Sequence, residues 1–208
     1  GSSQDYSKLL ICTGASPIKP PVEGLDSPGV HHCWTLEDAR QIIDLADEGS
    51  DVVLIGAGFI ACIILEALVE RGVNLAVVEM EDRMLPRMMD ETGGEMIKRW
   101  CGNKGVTVQT GVRVNKVQYD DDSSEGRLAV GLDNGSELPA HLIVVAAGVA
   151  SNTAFLDGSS VKVEDGIVVD NRLMSSVDGI YAAGDCAQGP DFSTGGWSVH
   201  AIQPTAVD

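Results

Sequence analysis

The stretch Asp51-Val-Val-Leu-Ile-Gly-Ala-Gly-Phe-Ile-Ala61 constrains this chain more than any other. Val52 to Ile55 is a short apolar run of the kind that makes a buried parallel strand, and it passes directly into a Gly-Ala-Gly turn. An apolar stretch of helical length leaves the turn, with Ile60, Ile63, Ile64, Ala67 and Leu68 predicted to share one face. Arg71-Gly72 supplies a cationic last turn and a glycine stop. Leu75 to Val78 is a second buried strand, and it ends in Glu79, about 20 positions beyond Gly58.

Each part of that βαβ unit has a mechanical reason. Gly56 permits the tight strand-to-helix turn, Gly58 lets the backbone approach a pyrophosphate, and Ala61 lets the helix pack closely on the sheet. The first helical residues, Phe59, Ile60 and Ala61, offer free N–H groups and the positive end of the helix dipole to phosphate. Glu79 then stands where a carboxylate accepts hydrogen bonds from an adenosine ribose. A 2′-phosphate would be repelled there, so the pattern predicts NAD rather than NADP. The glycines alone also fit a ligand-free turn; the order of strand, turn, helix, strand and acid is what favours the nucleotide.

Composition narrows the function classes. Hydrophobic residues at 44% and charged residues at 22% suit a soluble globular protein. A formal net charge of −17 argues against a nucleic-acid surface, which needs clustered Lys and Arg. The acidic run Asp120-Asp121-Asp122, with Glu125, reads as a solvated loop rather than a metal site. Phe59 to Val69 is too short to span a bilayer and contains Glu66, so no membrane partner is expected. No signal peptide is visible, and Gly1-Ser2-Ser3 resembles a cloning remnant. Cys12, Cys33, Cys62, Cys101 and Cys186 are odd in number and lack zinc spacing. They predict reduced thiols in a cytoplasmic protein, with Cys12 and Cys62 as core fillers.

Other elements follow along the chain. Lys8 to Cys12 predicts a short strand running into Thr13-Gly14, and Pro17, Pro20 and Pro21 then predict a crossing linker in which His31 and His32 lie. Thr35 is a candidate N-cap for a helix through about Ala46, with Asp38 placed for a capping box. Asp90 to Lys104 predicts a further helix ended by Gly105, and Val106 to Val108 a third parallel strand. Arg113 to Tyr119, Arg127 to Leu132 and Ser136 to Leu138 alternate as an antiparallel meander turning at Asn134-Gly135. Leu142 to Ala146 is a strongly apolar strand ending in Ala147-Gly148. Val161 to Val163 and Ile167 to Val169 predict a hairpin around Glu164-Asp165-Gly166, and Gly179 to Ala183 a strand ending in Gly184-Asp185.

Four ordered motifs carry a family resemblance: Ile11-Cys-Thr-Gly-Ala15, the Gly56 turn with Glu79, Ala146-Ala-Gly-Val149 and Gly179-Ile-Tyr-Ala-Ala-Gly-Asp185. Together with Arg83-Met-Leu-Pro-Arg-Met-Met-Asp90, they resemble the FAD-dependent pyridine nucleotide-disulfide oxidoreductases. The end, from Gly189 through Val199-His-Ala-Ile-Gln-Pro-Thr-Ala206, is similar to the NAD(FAD)-utilising dehydrogenase and nitrite-reductase-like branch. The resemblance implies an α/β fold: a Rossmann-like three-layer NAD(P)-binding domain with a parallel sheet and antiparallel meander, flanked by partial FAD-domain segments. It implies bounds of 1–34 for the first FAD-domain segment and linker, 35–150 for the NAD(P)H domain and 151–208 for the second FAD-domain segment. Ala147 and Gly148 then join the NAD site, and Thr13, Gly14, Gly184 and Asp185 bind FAD in the intact protein. Arg83 either reaches the adenosine side or pairs with Glu81.

The departures shape the expectation too. The family's first glycine fingerprint and its redox cysteines belong to sequence that should precede Asp5, so the chain reads as a middle piece of a larger flavoprotein whose remaining FAD domain is its partner. Alone it is expected to lack FAD and to be inactive. Ile63 stands where the family commonly has Glu near the nicotinamide. The expected function is the NADH-binding part of an oxidoreductase that passes hydride from NADH, preferred over NADPH, to FAD, and electrons to an unidentified small molecule or redox protein. No side chain need be a catalytic acid or base, and none is assigned to a metal. The alternative is a non-catalytic dinucleotide-binding or regulatory module. His200 reads as structural rather than as a proton donor. A methyltransferase shares the glycine turn and acid but leaves Gly184-Asp185 unexplained.

Overall fold

The computed structural model describes residues 2–120, 127–192 and 194–199. Asp121, Asp122, Glu125, His200 and the 201–206 part of the terminal motif lie outside the described residues. The elements in order are β1 (Leu9–Ile11), β2 (Ala15–Pro17), β3 (Val30–His32), α1 (Leu36–Leu45), β4 (Asp51–Ile55), α2 (Phe59–Glu70), β5 (Asn74–Glu79) and α3 (Glu91–Asn103). There follow β6 (Thr107–Thr110), β7 (Val114–Asp120), β8 (Arg127–Leu132), β9 (Glu137–Ala140), β10 (Leu142–Val145), β11 (Val149–Ser151), β12 (Ile167–Val168), β13 (Ile180–Ala182), β14 (Ala187–Pro190) and β15 (Trp197–Val199). They form two compact units, Pro17–Gly148 and Gly1–Ser16 with Val149–Asp208.

The larger unit is built on a five-stranded parallel sheet in the order β3-β10-β4-β5-β6. Successive strand residues point to opposite faces, and the two faces have different covers. Val52, Leu54, Val77, Leu142 and Val144 meet Ile42, Leu65, Leu68 and Cys101 of the three helices. Val53, Val78, Ile143 and Val145 meet Val117, Leu128, Val130 and Leu132 of the β7-β8-β9 meander. That double cover explains why β4 and β10 read as unbroken apolar runs. Thr35 caps α1 as expected, and its side chain and that of Asp38 complete the capping box.

Several local expectations change. The 17–34 stretch is not a linker: β3 joins β10 at the sheet edge, and Leu25, Val22 and Val30 pack under the meander, so His31 and His32 are strand residues. The proline signal located the irregular backbone but could not show what it packs against. On α2 the buried face is Ala61, Leu65 and Leu68, whereas Ile63 is 58% exposed and Ala67 is also exposed. Glu66 and Glu70 are exposed on the same side as Ile63, an acidic edge that marks the solvent face where the apolar residues alone do not. Cys12 lies beyond the end of β1 and is exposed, unlike half-buried Cys62.

In the smaller unit β1 pairs in parallel with β13. Ile11 of β1 joins Ile167, Val169, Ala182 and Cys186 in one apolar core. The expected hairpin is reduced to a single bridge between Val163 and Ile167. Strand β12 instead pairs in parallel with β14.

Candidate functional site

The candidate site forms where β4 leaves the sheet between β10 and β5. Gly56 has φ +101, and a Cβ there would lie 2.5 Å from the Ala146 carbonyl oxygen. Only glycine fits this turn. Its N–H donates to the Val78 carbonyl at 2.8 Å, which ties the turn to β5. Gly58 differs: its backbone is extended, and nothing lies within 4 Å of where a side chain would project. Gly58 is also the N-cap of α2, and no side chain caps that terminus. The leading N–H groups of α2 therefore face a position that a phosphate can occupy. Ala61 is 1% exposed and packs into the helix-side core, as the small-residue position requires.

Glu79 closes the other side. It is 6% exposed, and its carboxylate accepts from the Ala57 N–H at 2.6 Å and from the Glu81 N–H at 2.8 Å. A buried carboxylate needs such donors, and each oxygen retains a lone pair. Phe59, 51% exposed, begins α2, with Ile60 half-buried beside it. Ala147 and Gly148 are exposed just past β10, whose Val145 pairs with Ile55 at the end of β4. The structure thus gathers Gly56, Gly58, Phe59, Ile60, Ala61 and Glu79 around one turn, with Ala147 and Gly148 following the neighbouring strand.

Arg83 does not pair with Glu81. Its Nη1 meets Asp82 at 2.6 Å, while Nε and Nη2 donate to the carbonyls of Met89 and Pro86. It also helps line a hollow of about 550 Å³ with Asp82, Thr92, Glu95, Lys98 and Arg99, none of which belongs to the glycine turn. Two participants have no side-chain signature in the sequence: the Ala57 main chain, and Leu85, whose N–H donates to the Ala57 carbonyl at 2.9 Å. The segment resembling Leu-Pro-Arg is the only hint of the second.

In the smaller unit, the Thr13 hydroxyl donates to the Asn152 carbonyl at 2.8 Å, and the Asn152 amide returns a bond to the Thr13 carbonyl at 3.0 Å. Nothing in the sequence marks Asn152 for this role. Among the described residues, nothing lies within 4 Å of where a side chain would project from Gly14 or Gly184, and the partly exposed Asp185 carboxylate has no hydrogen-bond partner. Open backbone beside an unengaged carboxylate suits a hydroxyl-bearing cofactor. Among the described residues no cluster of three His, Cys, Asp or Glu could hold a metal, and no helix is long and apolar enough to cross a membrane. Burial, then the neighbouring Cys101, pushes the Cys62 thiol up to about 11.

A parallel sheet with helices on one face, a meander on the other and an open glycine turn defines a Rossmann-like fold of the kind found in oxidoreductases. Residues 1–201 match the family model described as pyridine nucleotide-disulphide oxidoreductase. The chain belongs to this family of FAD-dependent oxidoreductases. It is 35% identical over 207 residues to the NADH-dependent phenylglyoxylate dehydrogenase subunit epsilon of Aromatoleum evansii, covering 100% of this chain and 48% of the relative. It superposes with TM-score 0.89 and 35% identity on a NAD-dependent persulfide reductase from A. fulgidus, over 97% of this chain and 37% of that one. A FAD-dependent pyridine nucleotide-disulphide oxidoreductase from Desulfovibrio vulgaris gives TM-score 0.83 at 29% identity, over 98% of this chain and 51% of its own. The chain spans about half the length of the curated relatives it matches.

Proposed function

We propose that the Pro17–Gly148 unit binds NADH in preference to NADPH, as part of a flavoprotein oxidoreductase that passes hydride from NADH to FAD and electrons to a further acceptor. The observation that carries this reading is the pairing of an uncapped, open α2 terminus at Gly58 with the buried Glu79 carboxylate held against the same turn. The pyrophosphate takes the N–H groups of Phe59, Ile60 and Ala61, and Glu79 accepts from the adenosine ribose with its remaining lone pairs. A 2′-phosphate would bring like charge onto that carboxylate. Ala147 and Gly148 border the same ligand from the β10 side, while Arg83 shapes the adenosine side by holding the 82–89 loop.

Thr13, Gly14, Gly184 and Asp185 are proposed to hold FAD in the intact protein, with Asp185 accepting from flavin hydroxyls. When bound, the flavin supplies hydride acceptance and electron transfer. This chain's residues bind and orient, and no side chain acts as acid or base. The relatives' differing names, a persulfide reductase and a phenylglyoxylate dehydrogenase subunit, support leaving the acceptor open as a small molecule or redox protein. Calorimetry with NAD⁺ and NADP⁺ tests the reading: NAD⁺ binds more tightly, and tighter NADP⁺ binding overturns it.

Exposed Ile63, one turn beyond Phe59, favours a second reading, a dinucleotide-binding module without turnover. NADH:acceptor activity in the complete gene product excludes that module.

A further inference from the structure

Leu85 is held in a backbone conformation that its side chain resists. Its φ is +50, a region in which a Cβ crowds the backbone. It also precedes Pro86, whose ring pushes the preceding residue toward extended backbone. Several contacts over-determine the strained state. The Leu85 side chain is buried, at 8% exposure, and its carbonyl accepts from the N–H groups of Met88 and Met89, both at 2.9 Å. Met84, immediately before it, is fully buried in the helix-side core, and Arg83 bonds the carbonyls on either side of the following turn.

The strained residue reaches a long-range backbone partner, donating its N–H to the Ala57 carbonyl at 2.9 Å. The Ala57 N–H is held in turn by Glu79 at 2.6 Å. Both peptide groups of the one residue between Gly56 and Gly58 are therefore gripped, one by the end of β5 and the other by the loop that follows it. Glycines leave a backbone free to wander, and without these grips the direction of the first α2 N–H groups would be loosely set. Strain that persists because its surroundings demand it is commonly found where geometry matters to a ligand.

We propose that Leu85 is a positioning residue for the glycine turn: its strained peptide clasps the Ala57 carbonyl and fixes the turn in its phosphate-receiving geometry before ligand arrives. The inference rests on the dinucleotide reading of that turn.

Leu85→Ala and Leu85→Gly in the 208-residue chain test it. Both remove the branched end of the side chain, but they differ in their tolerance of positive φ. Alanine without the packing relaxes to negative φ and releases Ala57, whereas glycine keeps the clasp without strain. Amide exchange at residue 85 is expected to stay slow in the wild type and the glycine variant, and to rise by about tenfold or more in the alanine variant. ADP-ribose binding measured by calorimetry should follow the same order, with the alanine variant weaker than the glycine variant by about fivefold. A packing role alone gives the reverse order, because glycine removes more side chain and loosens the loop; that order overturns the proposal. A folded wild type that binds no ADP-ribose sinks the dinucleotide reading instead, and the exchange data still judge the clasp. Unprotected exchange of the Leu85 amide in the wild type overturns it with no variant needed.

Discussion

The carboxylate of Glu79 accepts the N–H of Ala57 at 2.6 Å, so the acid at the end of β5 and the glycine turn after β4 are one hydrogen-bonded unit. The second oxygen holds Glu81, which starts the loop leading to Leu85 and back to Ala57. Glu79 thus shapes the site as well as presenting charge to it. Replacing it changes fold stability and ligand choice together.

Glu79→Ala leaves the buried Ala57 N–H and the part-buried Glu81 N–H without their acceptor. The expected loss is roughly 2–4 kcal/mol, about 1–3 for each stranded donor less partial recovery by water. Glu79→Gln keeps one acceptor but turns its NH₂ toward the other donor, so it should fall between the wild type and alanine. Removing the charge should also narrow the NAD⁺ over NADP⁺ preference in both variants. Urea melts and calorimetry on the same preparations check both parts; an alanine variant as stable as the wild type would contradict the hydrogen bonds described.

The two turn glycines should separate stability from binding. Gly56→Ala forces a methyl to within 2.5 Å of the Ala146 oxygen at φ +101, at an expected cost of roughly 2–4 kcal/mol. Gly58→Ala meets no protein atom within 4 Å and has an ordinary φ of −76, so it should cost about 1 kcal/mol or less as an N-cap change. Its methyl, however, projects where the pyrophosphate is proposed to lie, and should weaken ADP-ribose binding by about tenfold or more. Thermal melts and calorimetry should show opposite profiles for the two variants.

What the sequence disclosed, and what it hid, follow the same physics. The strand-turn-helix-strand order around Gly56, Gly58 and Glu79 was legible because two glycines, a buried run and a terminal acid each leave a side-chain trace. The phase of α2 was harder to read, since Ile63 and Leu65 are equally apolar and only Glu66 and Glu70, exposed on the side of Ile63, mark the solvent face. The strand Val30–His32 was hidden by its brevity, by the prolines upstream of it, and by lying at the sheet edge beside β10. Leu85 and Ala57 act through main-chain groups, which every residue type carries alike. Asn152, holding Thr13 across 139 positions, belongs to a pairing that no local pattern encodes.

Arg71 illustrates a long-range cap of the same kind. Its guanidinium donates to the carbonyls of Ala46 and Ile43, at 2.8 and 2.9 Å, at the C-terminal end of α1 rather than at the end of its own helix. Arg71→Ala should cost about 1–2 kcal/mol, the lower range for charged hydrogen bonds that are partly exposed. Lysine, lacking the planar fork, should recover less than half. Chemical denaturation reads both, and full rescue by lysine would reduce Arg71 to a simple charge at the helix terminus.

The α1 capping box should fail in acid. Burial alone would raise the Asp38 carboxyl, but hydrogen bonds from Thr35 and Trp34, with nearby His32, outweigh it and hold the group below its ordinary 3.8. A depressed folded value stabilises fully above the unfolded value and is lost as pH falls through the folded one. Asp38→Ala should therefore cost about 1 kcal/mol at pH 7 and progressively less below pH 3.8. Urea midpoints for wild type and variant, followed from about pH 7 to about pH 3, should converge; parallel curves would rule out the ionised cap.

Thiol chemistry gives the last test, because the cysteines differ in access and in acidity. Cys12 is exposed, whereas Cys62 is half-buried on α2 with its thiol pushed up to about 11 by burial and then by Cys101. Cys101 and Cys33 are raised as well, again chiefly by burial. Only the thiolate attacks, so a brief iodoacetamide pulse at about pH 8 should label Cys12 and spare Cys62. Raising the pH toward 11 should bring in Cys62 if the fold survives, which circular dichroism on the same sample reports. Peptide mapping by mass spectrometry distinguishes the sites. Equal labelling of Cys62 and Cys12 in the first pulse would mean that α2 does not bury this thiol as described, and with it that the helix is phased differently about Ala61, Leu65 and Leu68.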